Sequence, residues 1–221
     1  MMSVLAKYID HTILKATTTE QDVVVLCNEA IAYGFAAVCV PPVYVDYARK
    51  LLAGTAIKIA TVAGFPLGYC SLPTKLAEIE DAMTHGATEI DLVHNIAAIK
   101  NNHLEYAVAE VKACTQLVHN KGGIIKIIIE SGVLTDAEII SCCKAYASLN
   151  VDFIKTSTGF AEKGASIQAV QLIKQNIPAN IGIKASGGIK TASFAKELIA
   201  AGATRLGCSA SVAIVKEDKP A

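Results

Sequence analysis

A lysine inside an apolar run, followed at once by three small hydroxyl residues and a glycine, is the first chemistry this chain offers: Asp152-Phe153-Ile154-Lys155-Thr156-Ser157-Thr158-Gly159-Phe160. Burial raises the free energy of an ammonium, so the pKa of an enclosed lysine falls and part of it becomes a neutral nucleophile near pH 7. A neutral amine attacks a carbonyl carbon and condenses to a Schiff base. A lone lysine is most often a solvated one, so the reading rests on its company. Lys184 sits in a second apolar run, Ile181 to Ala185, and Asp91 in a third, Glu89 to Val93. Two lysines that converge on one aspartate disfavour each other's charge; one becomes the nucleophile and the other stays an acid. The alternative is a salt-bridge network that satisfies only itself, Asp91 with Lys184 and Glu130 with Lys126. Two lysines with a single obvious counter-charge argue against it, because buried charges are generally paired.

A second cluster follows the two last strand-like runs. Ala185-Ser186-Gly187-Gly188-Ile189-Lys190-Thr191 and Gly207-Cys208-Ser209-Ala210-Ser211 each lead from an apolar run into a helical one. Glycines expose backbone N–H groups, helix N-termini add positive partial charge, and Lys190 adds a full one. Two such turns in adjacent units point to a phosphorylated ligand, where a single glycine pair would mark only a tight turn.

These residues need elements to hold them. Eight short strand-like runs alternate with amphipathic helical ones along the chain. The runs are Tyr8 to Thr12, Ala36 to Val40, Ile57 to Ala63, Glu89 to Val93, Ile124 to Ile129, Val151 to Thr156, Ile181 to Ala185 and Thr204 to Gly207, with a short helical lead at Ser3 to Lys7. The alternation predicts βαβ units and a parallel sheet covered on both faces. No G-x-G-x-x-G follows either of the first two strands, which weighs against an open dinucleotide-binding sheet. The expected fold is therefore α/β, a (β/α)8 TIM barrel with a short N-terminal helix, in one domain spanning 1–221. In such a barrel the C-terminal strand ends share one mouth, where the chemistry is found. The polar residues assigned there are Asp10 and Thr12, Asp91 and Asn95, Lys126 and Glu130, Lys155, and Lys184. Cys39, at the end of the second strand, reads as a buried, inert thiol.

Bulk properties bound the partners. The 221 residues are 52% hydrophobic and 18% charged, with 20 basic and 20 acidic residues, so the chain has ample core and no basic surface for nucleic acid or an anionic membrane. The seven cysteines show no C-x-x-C spacing and the five histidines no H-E-x-x-H, so neither a disulfide framework nor a metal site is expected. The first ten residues lack the pattern of a signal peptide, and the expected location is the cytoplasm.

Taken in order, Asp10-His11-Thr12, TVAGFPLG (61–68), EIDLVHN (89–95), KIIIESG (126–132), DFIKTSTG (152–159), IKASGGI (183–189) and RLGCS (205–209) resemble the motifs of the 2-deoxyribose-5-phosphate aldolase family over nearly the whole chain. That resemblance implies a lyase without cofactor or metal that cleaves 2-deoxyribose 5-phosphate to glyceraldehyde 3-phosphate and acetaldehyde. It implies Lys155 as the Schiff-base lysine, and Lys184 and Asp91 as proton donors and acceptors. Asp10, Thr12, Gly159, Gly187, Gly188, Gly207 and Ser209 would bind the substrate, and a homodimer is the assembly to test. Three positions depart from members that carry lysine, arginine and a second serine: here they are Phe160, Lys190 and Ala210, which weakens the phosphate contacts. The rival readings are a phosphate-binding barrel isomerase or epimerase, which would leave the lysine idle, and a sugar-phosphate binding protein without catalysis.

Overall fold

The computed structural model describes residues 3–218. Eight parallel strands close into a barrel in chain order: β1 (Ile9–Thr12), β2 (Ala37–Cys39), β3 (Lys58–Ala63), β4 (Glu89–Val93), β5 (Ile124–Ile128), β6 (Phe153–Lys155), β7 (Gly182–Ser186) and β8 (Arg205–Cys208). Around it run α1 (Glu20–Tyr33), α2 (Val45–Leu51), α3 (Leu72–Thr84), α4 (Ile96–Lys100), α5 (Leu104–Asn120), α6 (Asp136–Ala147), α7 (Ile167–Asn176), α8 (Ala192–Ala201) and α9 (Ser211–Glu217). The eight expected strands all form: β1, β2, β3 and β5 are a residue or two shorter than expected, β6 is three shorter, β4 is as expected, and β7 and β8 begin and end one residue later. The N-terminal lead is a 3-10 turn over Val4–Tyr8. The last residues of the polar tail, 219–221, lie outside the described part. Among the described residues no helix is long and apolar enough to cross a membrane.

Local chemistry sets the helix ends. Thr19 and Thr135 each accept from a backbone N–H three residues on, while Asp22 and Glu138 reach back to the cap N–H, closing two capping boxes. Gly34 ends α1 in the left-handed region at φ 67°. The short α4 was not legible in the sequence. Asn95, expected as a polar group at the mouth, caps it instead, its side chain accepting from Ala98 N at 2.9 Å.

Alternation along the strands divides the core in two. Side chains such as Ile90, Leu92, Ile125, Ile127, Ile183 and Leu206 face outward into an apolar layer under the helices. The barrel interior is itself divided. A small apolar cluster of Cys39, Ala60 and Val62, packed by Leu14 and Phe65, fills the side of β2 and β3. Charged residues fill the rest: Asp10, Glu89, Asp91, Lys126 and Lys184 are all at most 1% exposed.

Candidate active site

Register brings the two lysines together. Lys155 on β6 stands opposite Lys184 on β7, and Asp91 on β4 stands opposite Lys126 on β5. Lys155 Nζ and Lys184 Nζ both donate to the same oxygen, Asp91 Oδ2, each at 2.7 Å. Lys126 Nζ takes the other oxygen, Asp91 Oδ1, at 2.8 Å, and Glu89 Oε2 at 2.6 Å. Lys184 also bonds Asp10 Oδ2, and Arg205 bonds both Asp10 Oδ1 and, at 3.0 Å, Glu89 Oε2. The charges thus form one continuous ladder across β1, β4, β5, β6, β7 and β8.

One expectation is corrected here, and one pairing of the alternative reading does not form. Lys184 has a second counter-charge, Asp10, that the sequence reading did not pair with it. Lys126 does not pair with Glu130: Lys126 lies mid-strand and points into the ladder, whereas Glu130 lies past the end of β5 and accepts from Thr158 N at 3.2 Å and from the Thr158 hydroxyl. The glutamate follows the strand with φ 51°, and its carboxylate meets Thr158 in the loop after β6. Asp10, expected in the substrate shell, is wholly buried and has both oxygens engaged below the cleft. Thr12 does reach the cleft, its hydroxyl donating to the Asp10 carbonyl at 2.9 Å.

The electrostatics separate the lysines. Burial pushes the Lys155 pKa down, Lys184 pushes it further, and the pull of Asp91 does not offset them. Burial also acts against charge on Lys184, but Asp10 and Asp91 outweigh it and raise that pKa above the ordinary lysine value. Lys126 is likewise held charged, chiefly by Asp91 against burial. Asp91 itself would be raised by burial, yet Lys126, Lys155 and Lys184 hold it well below the usual carboxylate range. Cys39, facing the same interior, is raised to about 11 by burial and stays a thiol.

The hydroxyls after Lys155 have structural partners. Thr156 Oγ1 accepts from Ser186 N at 3.1 Å and from the Ser157 hydroxyl, also at 3.1 Å, and Ser186 Oγ donates to Ser157 O at 2.5 Å. These bonds tie the ends of β6 and β7 side by side and fix the spacing of the two lysines.

Above them opens a cleft of about 510 Å³, within the usual range for small ligands. Lys155 is at its wall, 3% exposed, with Gly159, Gly187, Gly188, Gly207, Ser209 and Lys190 around it. Of the seven residues expected to bind the substrate, all but Asp10 therefore line one cavity with the candidate nucleophile. Gly187 has φ 86°, and a Cβ there would lie 3.3 Å from Gly159 Cα, so the two loops approach only without side chains. Gly207 leaves room for the lysine chain: a Cβ would stand 2.8 Å from Ser186 Cβ and 3.2 Å from Lys184 Cε. Phe160 forms a T-shaped pair with Phe65 at 5.2 Å.

Glu89 and Arg205 open β4 and β8, away from the C-terminal strand ends where barrel chemistry is expected. The alternation Glu89-Ile90-Asp91 was the available signal, since residues two apart share a strand face. His11, between Glu29 Oε2 at 2.7 Å and Ser211 Oγ at 2.9 Å, also lines the cleft.

Comparison with known proteins decides the lineage, because residues 4–215 match the DeoC/LacD family aldolase profile. The chain belongs to that family. Relatives named deoxyribose-phosphate aldolase include one from Caldicellulosiruptor saccharolyticus, 45% identical over 215 residues, covering 97% of this chain and 98% of the relative. Another, from Thermoanaerobacter sp. (strain X514), is 44% identical over 214 residues, covering 96% of each. Among solved structures, the tetrameric deoxyribose phosphate aldolase from Aeropyrum pernix superposes with a TM-score of 0.90 at 33% identity, covering 96% of this chain and 89% of that one.

Proposed function

We propose that this DeoC/LacD family aldolase cleaves 2-deoxy-D-ribose 5-phosphate reversibly to D-glyceraldehyde 3-phosphate and acetaldehyde, through a Schiff base on Lys155. The observation that carries the proposal is the sharing of Asp91 Oδ2 by Lys155 and Lys184 at the wall of the glycine-lined cleft. Such a site keeps one amine free of its proton beside another that retains it.

In the cleavage direction the neutral Lys155 amine adds to C1 of the open-chain sugar. The carbinolamine accepts a proton, which Lys184 is placed to supply, and loses water to give an iminium ion. Removal of the C3 hydroxyl proton, by Asp91 acting through Lys184 or a water, breaks the C2–C3 bond. Its electron pair moves to the iminium nitrogen, leaving an enamine, and C3 departs as the aldehyde of glyceraldehyde 3-phosphate. Protonation of the enamine at C2 and addition of water release acetaldehyde and restore the amine. Gly159, Gly187, Gly188 and Ser209, with Lys190 beside them, hold the phosphate by backbone N–H groups and the N-terminus of α8. Asp10 and Thr12 act here as supports, the first for Lys184 and the second for the β1 end of the cleft.

The protein is proposed to act in the cytoplasm, where its seven free cysteines stay reduced, and as a homo-oligomer, a homodimer at least; light scattering reads that state. The test of the chemistry is incubation with acetaldehyde and sodium borohydride, followed by mass-spectrometric mapping. The expected adduct is an ethyl group on Lys155. An adduct on another residue, or none, overturns the assignment. Lys184→Leu should lose about 100-fold or more in kcat, with the acid limb of its pH–rate profile moved to higher pH as Lys155 regains its proton.

A further inference from the structure

The charge ladder extends well below the reacting atoms. Among the described residues, the barrel interior gathers four basic side chains, Lys126, Lys155, Lys184 and Arg205, around three carboxylates, Asp10, Glu89 and Asp91. The set balances when one base is neutral. Lys155 is the base with the fewest anionic contacts, one oxygen of Asp91, whereas Lys126 and Arg205 each bond two carboxylates and Lys184 bonds Asp10 as well as Asp91.

Glu89 and Arg205 occupy the end of this ladder away from the cleft. Neither lines the cavity, Glu89 is 1% exposed, and the Arg205 side chain is 14% exposed. Arg205 stands across from Lys184 in the β7–β8 register and also lies over the Phe153 ring, 5.9 Å from its centroid. Glu89 neutralises Lys126 at 2.6 Å and so leaves more of Asp91 to the two upper lysines. Arg205 draws on Asp10 and so leaves less of that carboxylate to Lys184.

We propose that Glu89 and Arg205 are positioning residues that set the protonation of Lys155 from the closed end of the barrel, Glu89 by adding negative charge to the ladder and Arg205 by adding positive charge. The proposal rests on Lys155 being the Schiff-base lysine. The groups facing Lys155 are Asp91 from β4, Lys184 from β7 and the Cys39 thiol from β2, with the Glu130 carboxyl beyond β5 bonded to Thr158. Glu89 and Arg205 act on this set through Lys126, Asp91, Asp10 and Lys184.

The experiment measures the rate of borohydride trapping with acetaldehyde against pH, which reads the fraction of neutral amine. Removing an anion lowers the pKa of the remaining cations, and removing a cation raises it. Glu89→Gln should therefore move the acid limb to lower pH by about one unit, and Arg205→Gln should move it to higher pH by about the same amount. The double variant should return near the wild-type position, and Arg205→Lys should keep it. Shifts of the same sign, or limbs that coincide with wild type, overturn the proposal. Where Glu89→Gln does not accumulate as folded protein, Arg205→Gln alone decides: an upward shift supports the proposal and an unmoved limb overturns it. Wild-type trapping that maps elsewhere than Lys155 instead defeats the function on which the proposal rests, and is separable because it needs no variant.

Discussion

Lys75 and Lys155 are both buried almost completely, and they are bonded in opposite ways. Lys75, on α3, spends all three of its N–H donors: on Gly68 O at 2.7 Å, Val93 O at 2.9 Å and Glu110 Oε1 at 2.6 Å. Lys155 makes one bond, to a carboxylate oxygen it shares with another cation, and turns the rest of its amine toward the cleft. The first arrangement pins the 64–68 loop to the end of β4. The second leaves a nitrogen with unspent capacity. Burial alone therefore does not make a lysine reactive; burial with too few partners does.

The widest divergence comes from removing each amine. Lys155→Ala should abolish trapping and lower kcat by about 10⁴-fold or more, while its melting temperature stays at or above that of wild type, since Asp91 retains Lys126 and Lys184 and a buried amine with only one partner is gone. Differential scanning calorimetry and a coupled assay for released acetaldehyde read both quantities. Lys75→Met should do the reverse. It strands Glu110 in an apolar setting and should cost about 3–5 kcal/mol, roughly 10 °C in Tm, with kcat retained well below that temperature. A Lys75→Met protein that melts normally would remove the contrast.

A smaller effect comes from His94, beside Lys75. Its Nε2 donates to Ile129 O at 3.0 Å and its Nδ1 accepts from the Tyr146 hydroxyl at 2.8 Å, so the neutral ring is fully bonded. Burial, with help from Lys75, lowers its pKa from 6.5 to about 3. Between those values the unfolded chain binds a proton that the native state refuses. Stability should therefore fall as pH drops below 6.5, by up to about 1.4 kcal/mol per unit. His94→Gln should flatten that dependence in melting curves between pH 6.5 and 4. The smallest expected change is at the rim: Phe160→Lys adds a cation to an exposed position and should lower KM for the phosphorylated sugar about five-fold, with KM for unphosphorylated deoxyribose unmoved.

The same contrast marks what the sequence could disclose. Lys155, Lys184 and Asp91 stood out because charge in an apolar, strand-length run is conspicuous, and the glycine pairs because a phosphate cradle needs bare backbone. Lys75 was hidden, since a lysine in an amphipathic helix reads as solvated until the carbonyls that meet it are known. Glu89 and Arg205 were hidden by their position at the opening residues of β4 and β8, where stability and not chemistry is the ordinary reading. The Glu130–Lys126 pairing of the alternative reading fails because strand alternation continues through 130 only on paper; the backbone leaves the sheet there. The eight strands survived because each is bounded by glycines, prolines or caps, whereas α4, with five residues and a cap as its only signal, did not.

That departure at Glu130 bears on how freely the scaffold can be diversified. A left-handed backbone suits glycine or asparagine, and holding a longer residue there costs on the order of 1 kcal/mol. Neither substitute spans the gap to Thr158, so a library that relaxes position 130 trades local comfort for a loose lip above the amine. Variants enriched there for thermostability should be screened for lost grip on the sugar before they are carried forward.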